Sequence, residues 1–557
     1  MFIEKVLEYR ACPNCSERFA VSDRDAAHYE KIDVPWPSWC PLCRHLRRHG
    51  AINDYVFYTR ACDGCSSSFV SAFPPESEYQ VFCQTCWYDD QRDDSSQGRD
   101  YDPERSFFDQ FDELMHAMPQ LGMIGMNNEN CEYCESTANC KNCYLISECS
   151  NCEDSLYAYW IQKTLCSLNL CYAHECERCY EVVDCFGCYN LQHSQNCSNC
   201  SDSLFLFDCI GCTNCLFSSN LRHKEYYIFN KPFSKSDYLA EINNYRFGRY
   251  SQLLKYQEQF NSFLLKQPHR NLRMENVEDS SGDYLRDAKN CKHIFHGYNI
   301  EDCAFGEHVW RGAKDCYDIN TAGRNAELIY ESTNCGIDVY NVKFSRYCWE
   351  SRDIEYCNQC PVSRNLFGCA ALTPGAQYRV LNKQYSKEDY EALVKKIKVK
   401  MRSDGEYGEF FPLSISLFGY NNSVSYDDRA YSKEDVLARG WKWEVCESAT
   451  TGKGTVADIA DDIQDVDAAI CKEILTCQQC TRNYKIINPE FVFHQKENIP
   501  LPRTCPDCRH RARLAKRNPK ELYQSICANC EGDMLTTYAP GGAERVYCRE
   551  CYLELVY

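Results

Sequence analysis

No stretch of this sequence approaches the roughly 18 consecutive apolar residues that a membrane helix needs, so no membrane span is expected. The opening residues, Met1 to Arg10, lack an apolar run between a basic flank and a cleavage site, so no secretory leader is expected either. An excess of positive charge is also missing. Lys and Arg number 61 against 80 Asp and Glu, a net charge of −19. That excludes a surface that coats nucleic acid generally, and any basic function must be local. Catalytic signatures are absent too: there is no His-Glu-x-x-His, no Gly-x-Ser-x-Gly and no dinucleotide fingerprint, and Thr450-Thr-Gly-Lys-Gly454 falls short of a phosphate loop. No catalytic residue is assigned, and the reading is non-enzymatic.

What is plentiful is cysteine, with 43 residues, and tyrosine, with 40, in a chain of 557. A disulfide framework belongs to short secreted chains. Here the chain is long, the cysteine count is odd and no leader is evident. The expectation is a reducing cytoplasm and thiolates that hold metal.

The cysteines are organised by a duplication. Cys12/Cys15, Cys40/Cys43, Cys62/Cys65 and Cys83/Cys86 recur 465 residues later as Cys477/Cys480, Cys505/Cys508, Cys527/Cys530 and Cys548/Cys551, without insertion or deletion. Pro41, Arg44, His45 and Arg48 recur in step as Pro506, Arg509, His510 and Arg513. A two-residue gap lets one tight turn deliver two thiolates to one ion, and zinc takes four sulfurs tetrahedrally. The spacing therefore predicts two sites per copy, Cys12/Cys15/Cys40/Cys43 and Cys62/Cys65/Cys83/Cys86 in the first and the matching eight cysteines in the second. This amounts to about four Zn2+ with closed, structural coordination. The second pair of the leading site opens a helix near Arg44–His49, the treble-clef arrangement, and a helix N-terminus favours thiolate.

Between these modules the cysteines run differently. Cys131/Cys134, Cys140/Cys143 and Cys149/Cys152 step by nine residues, and Asn151-Cys-Glu-Asp-Ser-Leu-Tyr157 repeats as Asn199-Cys-Ser-Asp-Ser-Leu-Phe205. Short regular repeats of small residues with Asn at turns predict a β-solenoid. A string of further zinc or iron–sulfur knuckles is the competing reading. A looser version between residues 280 and 372 suggests a coil of about 20 residues. Each block ends in a strand-to-helix signature. Ser234, Ser386 and Ser432 read as N-caps with Asp237, Asp389 and Asp435 at N3. Asn230-Lys231 and Asn382-Lys383 read as turns. Phe107–Met118 has helical spacing, 387–401 reads as a basic helix and Val456–Leu475 as an acidic one.

The expected fold is mixed and mainly β, with duplicated double treble-clef or zinc-ribbon modules at both ends of a Cys/Asn-rich β-solenoid with capped helices. The expected segments are 1–88 (N-terminal double zinc module), 106–222 (first solenoid block), 223–279 (closing unit), 280–381 (second block), 382–476 (helical connector) and 477–557 (C-terminal double zinc module).

Function is sought where the copies differ. Arg44/His45/Arg48 and Arg509/His510/Arg513 sit at fixed distances from ligands, as residues neutralising a dianionic tetrathiolate would. The run Arg511, Arg513, Lys516, Arg517 and Lys520 makes the C-terminal module locally basic, which predicts contact with RNA, DNA or a ribonucleoprotein. A protein-interaction scaffold without nucleic acid and a thiol redox or metal-handling protein are the alternatives. Ile499-Pro-Leu-Pro-Arg-Thr-Cys-Pro-Asp-Cys-Arg-His-Arg-Ala-Arg513, Val81-Phe-Cys-Gln-Thr-Cys-Trp87, Phe107-Phe-Asp-Gln-Phe111 and Asn382-Lys-Gln-Tyr-Ser386 resemble a family of large cysteine-rich zinc-ribbon proteins of candidate-phyla-radiation (Patescibacteria) bacteria. The resemblance covers most of the chain and implies zinc; it implies no activity.

Overall fold

From Asn127 onward, almost every third residue of the central region has a left-handed backbone, with φ near 50° at Asn130, Tyr133, Ser136, Asn139 and Asn142. An L-residue pays about 1–2 kcal/mol for that conformation, least at Asn and Asp. A computed structural model, which describes residues 4–445, 452–455 and 458–557, shows what offsets the cost. Each left-handed residue is a corner. Its N–H donates to the coil before, as Asn142 N to Glu129 O (3.0 Å), while the residue before it donates to the coil after, as Lys141 N to Cys152 O (2.9 Å). Parallel strands pair 12 residues apart, for example Leu156 with Tyr144. The chain is thus a four-sided solenoid with three residues to a side.

The expected β-solenoid is therefore present, but the coil is not of about 20 residues. It closes in 12, and in the second block it lengthens to 13 at some turns, as where Tyr317 pairs with Tyr330. The nine-residue cysteine step is three sides of one coil, and the repeat from Asn151 to Asn199 is four whole coils.

The third residue of each side points inward. Its N–H has no neighbouring carbonyl, so a small side chain one coil earlier accepts from it. Cys179 N donates to Ser167 Oγ (3.0 Å), Cys215 N to Ser203 Oγ (3.0 Å) and Cys348 N to Cys335 Sγ (3.4 Å). Those side chains donate in turn to the carbonyl two residues back, as Ser155 Oγ to Glu153 O (3.1 Å) and Cys140 Sγ to Ala138 O (3.4 Å). The thin core needs residues that are small, apolar in bulk and able to hydrogen-bond. Cys and Ser meet that need, which is why cysteine is so frequent here.

Contacts divide the chain into two units. The first is Met1–Gly122 with Leu272–Glu444 and Lys520–Leu522; the second is Met123–Asn271 with Val445–Pro519 and Tyr523–Tyr557. In the first unit an 11-stranded sheet runs from Met274–Glu278 to Lys383–Gln384, over a core that includes Leu285, Cys303, Val342, Cys357 and Leu366. In the second, sheets of six and five strands carry the other solenoid block over Cys140, Ile146, Cys179, Val182, Cys200 and Leu206. Each unit thus pairs one solenoid block with one cysteine module: the N-terminal module sits with the second block, the C-terminal module with the first.

Both blocks end as the sequence predicts. The chain reverses at Asn230 and Asn382, left-handed at φ 60° and 63°. Asn382 completes the final coil, its Oδ1 accepting from Ala370 N (2.9 Å) and its Nδ2 donating to Ala370 O (2.8 Å). Ser234 and Ser386 then cap the helices Lys235–Ile242 and Lys387–Asp404, and Ser432 caps Lys433–Ala438. Phe107–Ala117 is helical as expected. The acidic helix at Val456–Leu475 is not formed. Val456 and Ala457 lie outside the described residues; beyond them stand 3-10 turns at Ile463–Asp465 and Ala468–Lys472, with Asp462 and Asp467 as their N-caps. Asp side chains compete for the backbone N–H groups, which favours caps over continuous helix.

Candidate metal centres

Each cysteine group is built from a knuckle and a helix start. The four knuckles share one backbone. Cys12, Cys62, Cys477 and Cys527 each donate their N–H to the carbonyl five residues on, at 2.8–2.9 Å. The residue after the second cysteine turns left-handed in all four: Ser16, Ser66, Thr481 and Glu531 have φ of 59–64°. Its N–H bonds back to the first cysteine's carbonyl at 2.8–3.0 Å. That turn swings both sulfurs to one side.

The facing pair comes from a helix. Cys40, Cys83, Cys505 and Cys548 are the N-caps of Pro41–His49, Gln84–Trp87, Pro506–Leu514 and Arg549–Val556. The ligand atoms of each predicted set of four lie within 4.8 Å of one another. Sulfurs approach to 3.7 Å (Cys15 to Cys40), 3.6 Å (Cys480 to Cys505), and 3.9 Å (Cys65 to Cys83 and Cys530 to Cys548). A tetrahedron of thiolates 2.3 Å from an ion has edges of about 3.8 Å, so the residues fit a tetrathiolate-bound ion. The Ser67 hydroxyl and backbone pull the Cys65 thiol down to about 6, while Cys86 is pushed up, first by its hydrogen bond with Cys65. Four sulfurs this close cannot all ionise without a cation among them.

All sixteen predicted ligands are thereby brought together as four groups. Among the described residues, the groups close enough to share an ion include no solenoid cysteine. Their S–H groups serve the backbone instead, and the competing reading of further zinc or iron–sulfur knuckles finds no cluster there.

The duplicated arginines do not serve the sulfurs, as the sequence suggested. They fasten the helix to the solenoid. Arg44 meets Asp318 (2.8 Å) and Glu331 (3.4 Å); beside it Arg47, which is not duplicated, meets Glu331 (3.2 Å) and Glu409 (2.7 Å). Arg48, fully buried, donates through Nε to Asn320 Oδ1 (2.7 Å). In the other copy Arg509 meets Glu490 (2.8 Å) and lies over the Tyr157 ring (4.5 Å), and Arg513 meets Glu181 (3.0 Å). Carboxylates, not the tetrathiolate, are the partners: those of the solenoid for Arg44, Arg48 and Arg513, and Glu490 on the module's own helix Asn488–Lys496 for Arg509.

The unmatched basic residues behave similarly. Lys516 pairs with Glu181 (3.5 Å), Arg517 with Asp184 (3.2 Å) while stacking on Tyr172 (3.5 Å), and Lys520 with Glu307 (2.5 Å) and Asp428 (3.2 Å). Arg511 is exposed. Of the predicted nucleic-acid contacts, Arg513, Lys516, Arg517 and Lys520 therefore already face carboxylates.

One further group was not legible in the sequence: His45, His49 and Asp428. His45 Nε2 and His49 Nδ1 reach Asp428 Oδ2 at 3.1 and 2.6 Å. Their other nitrogens accept from Asn320 Nδ2 at 3.2 and 2.6 Å. Arg48 fixes that amide by bonding its Oδ1. Both rings must therefore carry their proton towards Asp428, the direction an ion would need vacant, and Lys520 already supplies a cation there. The set is a closed polar network rather than a fifth centre. Burial and neighbouring His49 hold His45 down to about 4, which matches a neutral ring. Only the fold unites residues 45 and 428.

No protein-family model matches the chain, and no curated protein is similar to it. A solved structure from Desulfovibrio desulfuricans G20, named "putative acetyltransferase", aligns over 49% of this chain and 67% of its own at 11% identity, with a TM-score of 0.09. A likeness that slight bears on neither fold nor function.

Proposed function

We propose that the protein is a zinc-binding, non-enzymatic scaffold of the cytoplasm. Two double modules of the treble-clef or zinc-ribbon type each clamp a β-solenoid block and hold it rigid for a partner protein. The observation that carries this is the four-fold recurrence of one knuckle-plus-helix geometry, with sulfur separations that suit a tetrathiolate ion. Zinc is favoured among metals because two Cys-x-x-Cys pairs per site and closed coordination are its structural habit. Every described cysteine is a free thiol, which suits a reducing compartment. The resemblance to cysteine-rich zinc-ribbon proteins of candidate-phyla-radiation bacteria agrees with the metal.

A nucleic-acid or ribonucleoprotein partner is less favoured. Arg513, Lys516, Arg517 and Lys520, which suggested it, are paired with Glu181, Asp184, Glu307 and Asp428, and the net charge of −19 repels phosphate. Elemental analysis of the purified full-length chain should return four zinc ions per molecule, one for each cysteine group. A value near zero would sink the metal reading. In parallel, anisotropy with labelled single-stranded RNA and duplex DNA at low salt should show no binding. Salt-sensitive binding lost on Arg511→Ala would restore the nucleic-acid partner.

A further inference from the structure

We propose that each double module holds one fixed ion and one exchangeable ion, the exchangeable ions being those of Cys62/Cys65/Cys83/Cys86 and Cys527/Cys530/Cys548/Cys551. On this view the protein also passes a soft divalent ion to and from thiol-rich or pyridyl ligands. The inference rests on reading the four groups as metal centres, and it concerns how they differ.

The difference is built into both copies. In the inner groups, Cys12, Cys40 and Cys43 are buried, as are Cys477, Cys505 and Cys508; Cys43 has no exposure at all. Cys15 and Cys480, the remaining inner ligands, are half-buried, and no inner ligand is exposed; in the outer groups Cys62, Cys527 and Cys551 are buried, Cys83, Cys86 and Cys548 half-buried, and Cys65 and Cys530 exposed. Metal leaves a tetrathiolate when an incoming ligand reaches the ion and one cysteine swings away. The displaced thiolate takes up a proton from solvent, no electron moves, and the ion keeps its charge. An outer site offers such a cysteine on an exposed knuckle.

Anchorage points the same way. To release Cys40 or Cys43, the Pro41–His49 helix would have to move. Arg44 and Arg48 on that helix are buried against Asp318, Asn320 and Glu331. Cys508 is likewise followed by Arg509 and Arg513, held by Glu490 and Glu181. By contrast, Cys83 caps a helix of only four residues, Gln84–Trp87. The C-terminal outer site is better tethered, since Tyr552 is fully buried with its hydroxyl on Asn220 Oδ1 (2.8 Å). The N-terminal outer site should therefore release first.

The test uses the zinc-loaded full-length chain and the coloured chelator 4-(2-pyridylazo)resorcinol. Half of the bound zinc should leave in a phase at least about tenfold faster than the rest, since local opening at exposed sites needs less free energy than opening at buried ones. The Cys65→Ser/Cys530→Ser double variant should lack the fast phase and keep the slow one. On wild-type protein stopped after the fast phase, iodoacetamide should label Cys65 and Cys530 but not Cys43 or Cys508, a measurement that does not depend on a variant folding. Four ions leaving in one phase, or labelling of inner cysteines first, would overturn the proposal while leaving the metal reading intact. An absence of zinc at the start would instead defeat the reading on which it rests.

Discussion

At the scale of single residues, the unusual composition is a backbone requirement. One N–H in three turns into the solenoid core and must find an acceptor on a side chain small enough to fit. Ser345 shows the arrangement: fully buried, it accepts from Cys357 N (3.1 Å) and donates to Lys343 O (2.8 Å). Ser345→Ala should cost about 1–3 kcal/mol, the price of leaving a buried N–H unmet. Ser345→Cys, which keeps a donor and an acceptor, should cost clearly less. Equal losses for the two in chemical denaturation would show that volume rather than hydrogen bonding selects these residues. The corners follow a related rule. Asn and Asp are frequent there because they tolerate φ > 0, and they also bond to each other along the stack, as Asn130 to Asn142 (2.9 Å) and Asn142 to Asp154 (3.0 Å).

At the scale of elements, the helix that completes each inner cysteine group is also the element that docks on the solenoid. Its first turn carries Cys40/Cys43 or Cys505/Cys508, and its next turns carry the buried arginines. For the second copy the ion pair has a pH signature. Burial alone would raise the Glu181 carboxyl, but Arg513 and then Lys516 outweigh it and hold the group below its ordinary value. The stability this adds is fully present above the ordinary carboxyl range, about pH 4.3, and is lost as pH falls through the lower folded value. Thiolate protonation in acid would also release any ion held by the cysteine groups, so the useful quantity is a difference. Glu181→Gln should lower stability near neutrality, and its gap from wild type should narrow as the medium is acidified towards the folded value. A gap independent of pH would show that the pair adds nothing electrostatic.

At the scale of the whole molecule, the cysteine module of each unit belongs with the solenoid block distant from it in sequence. Residues 1–88 pack in the unit that contains Leu272–Glu444, and most of 477–557 in the unit that contains Met123–Asn271. Removing residues 1–88 would strip Asp318 and Glu331 of Arg44, Arg47 and Arg48 and uncover the side of the second block on which that helix packs. Amide exchange should then quicken in Tyr317–Ala322 and Glu327–Thr333, and stay unchanged in the first-block strands Cys171–His174 and Val183–Phe186. Quickening confined to the ends of the second block would argue that the module is a mere appendage.

The four-cysteine groups, the helix caps, the reversing Asn residues and the solenoid class were legible in the sequence because each is a short-range pattern. Two thiols per turn, a Ser three residues before an Asp, and Asn at recurring corners act through neighbours along the chain. The coil length was not legible. Inward cysteines recur at multiples of three, so a step of nine looks as regular as 12, a 13-residue coil turns a step of 18 into 19, and only the pairing of strands chooses among them. The roles of Arg44, Arg48, Arg509 and Arg513 were hidden for the same reason, as were those of Lys516, Arg517 and Lys520. A basic helix beside a tetrathiolate has the same sequence whether it faces sulfur, phosphate or a carboxylate hundreds of residues away. Local chemistry was determined by the sequence alone; which charge meets which was decided by tertiary structure, because a buried arginine is stable only where the fold brings a carboxylate to it.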